Sequence, residues 1–174
     1  RIRPEEIERR SFEIITDLLG EQQPPDETAH IVKRVIHTTA DLEYAETLYF
    51  SENAAQILSQ ALAEGAHIVT DTQMALSGIN KKTLAAFGGQ VHCFMADEDV
   101  ARQARERGVT RACVSMEKAA TLSVPLIFAI GNAPTALLRL DELVREGTVR
   151  PRLIIGVPVG FVNVVQSKER IMNA

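Results

Sequence analysis

The residues of this sequence best suited to chemistry lie in the string Arg34–Asp41, which reads R-V-I-H-T-T-A-D. We predict that the apolar pair before His37 delivers this histidine into a polar turn, with Asp41 and Glu43 nearby. Histidine is the side chain suited to proton transfer near neutral pH, so His37 is a candidate general acid or base. A capping or packing role is the alternative for any single histidine. The other histidines fit that structural alternative: His30, His67 and His92.

A second candidate is Gly131–Ala136, G-N-A-P-T-A, which follows an apolar run and opens a predicted helix. Pro134 suits the first helical position, and the backbone N–H groups of the first turn would then favour an anion. An ordinary strand-to-helix turn has the same sequence. The side chain of Asn132 can either cap the helix or reach a ligand, so Asn132 is a candidate binding residue.

Fingerprints of the commoner nucleotide and hydrolase sites are absent from the sequence. It contains no G-x-x-x-x-G-K-[ST], no G-x-G-x-x-G and no G-x-S-x-G. A Ser-His-Asp triad can be drawn from Ser11 or Ser115 with His37 and Asp41, but their spacing gives it no support. A P-loop, dinucleotide or α/β-hydrolase site is therefore not expected.

Metal and disulfide chemistry have little support in the residue pattern. Asp71, Asp97 and Asp99 could bind Mg²⁺ at strand ends, but capping the helices that follow is the interpretation we favour. Cys93 and Cys113 lie twenty positions apart, with no C-x-x-C and no paired Cys/His spacing. No metal site and no disulfide framework are expected.

Helices are predicted to position the first group of candidates. Pro4 and Gly20 bound an amphipathic stretch over residues 4–19. Asp26 is a predicted cap for a second helix through about residue 35, and Ser51 for a third over 51–63.

From residue 67 onward, short apolar runs alternate with amphipathic stretches, which predicts strands joined by helices. The runs are nearly unalternated, as expected of strands buried on both faces. We therefore predict an α/β fold with a mainly parallel, five-stranded sheet covered on both faces and preceded by N-terminal helices. The predicted strands are His67–Thr70, Val91–Met95, Arg111–Ser115, Pro125–Ile130 and Arg152–Val157, with helices over 72–87, 98–107, 116–122 and 134–146.

Ligands of such folds bind at the carboxyl ends of the strands. Small or polar residues stand there in this sequence, as the rim of a pocket requires: Asp71, Thr72, Asp97, Ser115, Asn132 and residues 156–160.

The length of 174 residues is that of one domain, and the net charge is −4. A duplex nucleic acid is not expected as the partner of an acidic chain. No run of 18 apolar residues is present, so no membrane span is predicted. The charged N-terminus lacks the apolar core of a signal peptide, and the expected location is cytoplasmic.

Several strings, taken together, resemble the precorrin-8X methylmutase family, also called precorrin isomerase. They occur in the family's order from the first helix to about residue 169. The strings are Ser11-Phe12, Arg34–Tyr44 (RVIHTTADLEY), Asp71–Ile79 (DTQMALSGI), Ala129–Leu137 (AIGNAPTAL) and Ile155–Glu169 (IGVPVGFVNVVQSKE).

The resemblance implies an isomerase of cobalamin (corrin ring) biosynthesis that moves a methyl group from ring carbon 11 to ring carbon 12 of a tetrapyrrole, giving hydrogenobyrinate or its cobalt counterpart. It makes His37 the proton donor and acceptor. It implies a three-layer α/β/α fold, a homodimer and no cofactor or metal. Substrate contacts carried over from the family are Ser11, Arg34, Thr38, Lys81 and Arg111.

Two alternatives from other classes stay open at this point. The first is a tetrapyrrole- or corrinoid-binding protein without catalysis, and the second is a receiver-type or nucleotide-binding α/β domain. The family continues beyond the S-K-E string with a Gly- and Lys-rich stretch and a final helix. We therefore expect residues 1–174 to form a single methylmutase-like domain whose C-terminal tail is missing from the sequence.

Overall fold

The computed structural model describes residues 3–174, and the chain divides into two compact units. The first unit, Arg1–Gln56, is helical. Its helices are α1 (Pro4–Leu19), α2 (Asp26–Thr39) and α3 (Tyr44–Thr47), and α4 (Ala54–Ala63) follows them along the chain.

An apolar cluster joins α1 to α2. Ile15 and Leu19 of α1 pack with Val32 and Ile36 of α2, and all four are buried. α1 ends at Gly20, whose positive φ of 53° is a conformation that glycine adopts readily. The predicted first helix is thus confirmed.

α2 is longer than the sequence predicted. It continues past residue 35 to Thr39, because Thr28, Val32 and Ile36 keep a four-residue spacing and stay buried on one face. His37 therefore lies in the last turn of α2, so the prediction that the chain leaves the helix before His37 and places it in a polar turn is wrong. Asp26 is the first helical residue, and the N-cap position before it is Pro25.

The second unit, Ile57–Ala174, holds the sheet. Its strands are β1 (His67–Thr70), β2 (Val91–His92), β3 (Leu126–Ile130) and β4 (Leu153–Gly156). Its further helices are α5 (Gln73–Gly78), α6 (Lys81–Ala86), α7 (Glu98–Arg107), α8 (Arg111–Ala120), α9 (Pro134–Arg145) and α10 (Val164–Met172).

The four strands of residues 3–174 form one parallel sheet in the order β2-β1-β3-β4. Phe128 and Ile130 of β3 pack with Met116 of α8 and with Leu137 and Leu140 of α9 in the largest buried cluster. The α/β class and the parallel sheet are therefore confirmed. The three-layer arrangement stays a prediction.

Of the five predicted strands, the one at Arg111–Ser115 is wrong, because these residues form the beginning of α8. Thr110 caps this helix by accepting a hydrogen bond from the backbone N–H of Cys113 at 3.2 Å. Buried positions 112, 115, 116 and 119 follow the spacing of a helix face. The apolar run is therefore a fragment of a helix pattern that extends to Ala120.

The other elements differ from prediction mainly at their ends. The predicted helix over 72–87 is divided into α5 and α6, since Asn80 begins a new helix by accepting from the N–H of Thr83 at 3.0 Å. Strand β2 covers two residues of the five predicted. None of the helices within residues 3–174 is long and apolar enough to cross a lipid bilayer.

Candidate active site

One ring nitrogen of His37 is hydrogen-bonded to a side chain of α1. The hydroxyl oxygen of Ser11 lies 2.7 Å from Nδ1 of His37. The buried cluster of Ile15, Leu19, Val32 and Ile36 holds the two helices together and so fixes this pair. The imidazole is exposed, and its Nε2 makes no hydrogen bond within the described part of the first unit. Nε2 is therefore available to exchange a proton with a ligand.

A cation and an aromatic ring stand beside this histidine. The edge of Phe12 meets the ring of His37, with centroids 5.8 Å apart and planes at 71°. The guanidinium of Arg34 lies 5.1 Å from the centroid of Phe12, and its Nη2 donates to Glu8 Oε1 at 2.6 Å. Phe12 thus packs between Arg34 and His37.

The ion pair between Arg34 and Glu8 is half-exposed. Hydrogen bonding to Arg34, together with its charge, lowers the pKa of the Glu8 carboxyl below its ordinary value. The same hydrogen bond raises the pKa of Arg34. A ligand carboxylate that binds Arg34 must therefore compete with an ionised Glu8.

The Ser-His-Asp triad drawn from the sequence is not formed. Asp41 Oδ1 accepts from the backbone N–H of Glu43 at 2.9 Å, and Ser11 takes the His37 nitrogen that an aspartate would need. Thr38 donates its hydroxyl proton to the carbonyl of Arg34 at 2.9 Å and is exposed at the end of α2.

In the second unit, a carboxylate of the chain itself binds the loop that leads into α9, whereas the N–H groups of the first turn of α9 were the expected anion site. Asp71, which is 1% exposed, accepts from the backbone N–H groups of Gly131 at 2.9 Å, Asn132 at 2.9 Å and Ala133 at 2.6 Å. The prediction that Asp71 caps the helix following it is therefore wrong. Thr72 caps that helix instead, by accepting from the N–H of Ala75.

Asp97 and Asp99 are paired with a cation. Lys118 Nζ donates to Asp97 Oδ2 at 2.7 Å and to both oxygens of Asp99 at 2.8 Å. The hydrogen bond to Lys118 lowers the pKa of Asp99. Asp97 stands at the N-cap position of α7, as predicted, but its side chain makes no cap hydrogen bond and pairs with Lys118 instead. Among residues 3–174, no three His, Cys, Asp or Glu side chains are grouped so that they could hold a metal ion.

The remaining predicted binding residues also lie in the second unit and are exposed. Lys81 opens α6, and its Nζ donates to the carbonyl of Leu76 at 2.8 Å. Arg111 opens α8, and Asn132 precedes α9. The hydroxyls of Thr110 and Thr135, 3.1 Å apart, join the beginnings of those two helices.

The predicted rim of the sheet is only partly formed. Ser115 is buried within α8 and donates to the sulfur of Met95, so it does not belong to the rim. At the end of β4, Val157, Val159 and Phe161 are exposed, which makes that part of the edge more apolar than expected.

The sequence pattern indicated Ser11, Arg34 and His37 as site residues but did not indicate Glu8. A signal was present, because positions 8, 11 and 12 lie on one face of a helix. The predicted residues fall into two groups: Ser11, Arg34, His37 and Thr38 of the first unit, and Lys81, Arg111 and Asn132 of the second.

The chain is thus an α/β protein with a parallel sheet, and one of its histidines has a hydrogen-bond arrangement suited to proton transfer. The family CbiC, described as precorrin-8X methylmutase, matches residues 6–174. Cobalt-precorrin-8 methylmutase of Priestia megaterium is 44% identical over 170 residues, 98% of this chain and 76% of that protein. Precorrin-8X methylmutase of Pseudomonas aeruginosa is 36% identical over 95% of this chain and 79% of its own length.

A solved structure agrees with these sequence matches. The precorrin-8X methylmutase of Thermus thermophilus superposes with a TM-score of 0.86 at 38% identity, covering 97% of this chain and 81% of that one. The chain belongs to the precorrin-8X methylmutase family. The family predicted from the sequence strings is confirmed, and with it the prediction of an enzyme of the methylmutase (isomerase) class.

Proposed function

We propose that this protein acts in cobalamin biosynthesis and moves a methyl group from ring carbon 11 to ring carbon 12 of precorrin-8X or its cobalt form. The product is hydrogenobyrinate or its cobalt counterpart. The carbon–methyl bond at ring carbon 11 breaks as the bond at ring carbon 12 forms, so substrate and product have the same composition. The observation that carries the proposal is the Ser11–His37 pair within a chain of this family.

His37 is the proton donor and acceptor of the proposed reaction. With Nδ1–H donating to the Ser11 oxygen, Nε2 is the nitrogen that gains and loses a proton. The imidazolium gives the Nε2 proton to a ring nitrogen, which draws electron density away from the migrating methyl group, and recovers it after the shift. A positioned acid of this kind contributes about 10²–10⁴ in rate.

Ser11 orients the imidazole in this scheme. The scheme uses the neutral tautomer with a proton on Nδ1, in which the Ser11 oxygen accepts from Nδ1–H in both the charged and the neutral state of His37. The substrate contact predicted for Ser11 is compatible with this role, since a hydroxyl oxygen has two lone pairs and a proton of its own.

Cations bind the acetate and propionate groups of the substrate. The cations that the family resemblance implies for this role, Arg34, Lys81 and Arg111, are each exposed. A guanidinium can bind a carboxylate through two parallel hydrogen bonds. Thr38 and Asn132 complete the proposed set with uncharged donors. Because the whole chain has a net charge of −4, the attraction of a polyanion must come from local groups such as these cations.

The family resemblance adds the remaining parts of the proposal. It supports a homodimer, a three-layer fold and a cytoplasmic location. It also supports a reaction whose chemistry is carried by the tetrapyrrole and His37 without a separate cofactor.

Conversion of the substrate tests the proposal directly. Purified protein is mixed with precorrin-8X, and in parallel with cobalt-precorrin-8, and visible spectra are followed over time. A catalyst at substoichiometric concentration converts the whole pool to the spectrum of hydrogenobyrinate or its cobalt form. A non-catalytic corrinoid carrier instead gives a static shift that stops at one equivalent, and this result contradicts the proposal.

A further inference from the structure

Asp71 links the ends of two neighbouring strands. It follows β1 directly, while Gly131, Asn132 and Ala133 follow β3, the strand paired with β1. Three backbone N–H groups donate to its two carboxylate oxygens over 2.6–2.9 Å. Buried, charge-assisted hydrogen bonds of this kind restrain a loop strongly. The loop from Gly131 to Ala133 is therefore fixed at the carboxyl edge of the sheet.

This contact changes what the loop can offer a ligand. The backbone N–H groups of residues 131–133 already donate to Asp71, so they are not free to bind a ligand. The Asn132 side chain is exposed and makes no hydrogen bond within the described part of the second unit. Its amide is therefore the group that the loop presents to a ligand.

We propose that Asp71 is a positioning residue: by holding residues 131–133, it sets the Asn132 amide to donate to an oxygen of the substrate. The inference rests on the proposed function. Asp71 does not touch the substrate, and its effect on the reaction passes through Asn132.

The substitution Asp71→Asn tests the link between the two residues. An amide offers one acceptor oxygen and turns an NH₂ group toward N–H donors of the loop, so the loop shifts. We expect KM to rise about tenfold, with kcat changed by less than about threefold, since the proton transfer at His37 is untouched. Asn132→Ala, a change at an exposed position, is expected to raise KM by a similar factor.

Asp141→Asn is the matched control. Asp141 is also a buried aspartate, 0% exposed, but it pairs with Arg145 at 2.7 Å and with Arg170 and thereby joins α9 to α10. Its replacement is expected to lower the melting temperature and leave KM unchanged. The control thus separates loss of stability from loss of positioning.

A double-mutant cycle decides the inference. If Asp71 acts through Asn132, the variant with both changes has the KM of Asn132→Ala alone, because the interaction energy equals the whole effect of Asp71→Asn. If the increases in KM of the two single variants multiply in the double variant, the proposal is overturned. A wild-type KM in Asn132→Ala also overturns it. If Asp71→Asn does not fold, Asp71→Glu replaces it in the cycle, and the same two results overturn the proposal.

Failure of the proposed function has a different signature. In that case the wild-type protein does not turn over precorrin-8X, and the same four proteins are compared by their Kd for hydrogenobyrinate. If the binding free-energy changes of the two single variants do not add in the double variant, positioning of a binding residue is supported. If they add, it is overturned.

Discussion

The Ser11 hydroxyl oxygen and Nδ1 of His37 are 2.7 Å apart and join α1 to α2. This contact uses Nδ1 of an exposed imidazole, so Nε2 is the ring nitrogen that is left for a ligand. Nearby, Glu8 neutralises Arg34, and Phe12 packs against both Arg34 and His37. The local sequence of α1 thus determines how the histidine of α2 is presented.

Ser11→Ala is expected to lower kcat about tenfold or more while leaving the Kd for hydrogenobyrinate within about threefold of wild type. Loss of the partner that orients a metal-bound histidine reduces activity by factors of about 10–100, and we expect an effect of comparable size for Ser11. Steady-state turnover and an absorbance titration measure the two quantities.

Thr16→Val is the control for Ser11→Ala. Thr16 also lies on α1, and its hydroxyl oxygen accepts from Lys33 Nζ of α2 at 2.8 Å and donates to the carbonyl of Phe12, with no hydrogen bond to His37. The kcat of Thr16→Val should equal that of wild type. An equal loss of kcat in both variants would mean that helix packing, and not orientation of His37, explains the Ser11 effect.

Glu8→Gln is expected to tighten substrate binding, with KM falling about two- to fivefold. Removing the carboxylate charge frees Arg34 from a competitor, and exposed ion pairs contribute on this scale. The gain should shrink in high salt, because the attraction between Arg34 and a polyanion is screened. KM at low and high ionic strength is the measurement. Glu13→Gln, which breaks the exposed pair with Arg9 on the same helix, should leave KM unchanged.

Folding stability should fall as the pH drops below about 6.5, partly through His92. Burial and the neighbouring His67 lower the pKa of His92 below its ordinary value of 6.5. Between its folded pKa and 6.5, the unfolded chain binds a proton that the folded chain does not, so acid favours unfolding.

Urea denaturation at about pH 7.5 and about pH 5.5 measures this effect. His92→Gln should lose less stability between the two pH values than wild type does. His30→Gln, at an exposed position of α2, should keep the wild-type pH dependence. If His92→Gln loses as much free energy of unfolding between the two pH values as wild type does, the pH effect belongs to other groups.

Arg170→Ala is expected to destabilise the protein by about 2 kcal/mol. Arg170 donates to Asp141, which is fully buried and keeps Arg145 as its other partner, so the variant leaves a buried charge incompletely paired. Arg102→Ala, a change at an exposed position of α7, should have little effect. Free energies of unfolding from urea titrations compare the two variants.

Local patterns predicted helices such as α1 and α9 but not the contacts between distant segments. Pro4, Gly20 and the apolar spacing between them defined α1, and the alternation of short apolar runs defined the α/β class. The apolar run at Arg111–Ser115 was ambiguous because five residues fit a buried strand and a helix face equally well. The sequence around Gly131 indicated an anion site, but the carboxylate that binds this loop, that of Asp71, is 60 positions away. Such a pairing depends on the order of strands in the sheet, which local propensity does not encode.

Turnover by His37→Ala tests the central claim most directly. We expect this variant to bind hydrogenobyrinate with a Kd within about threefold of wild type and to convert precorrin-8X at least about 10²-fold more slowly, since the group that exchanges the proton is gone. Both quantities can be read from visible spectra of the same preparation. Normal turnover by His37→Ala would contradict the assignment of His37 as proton donor and acceptor.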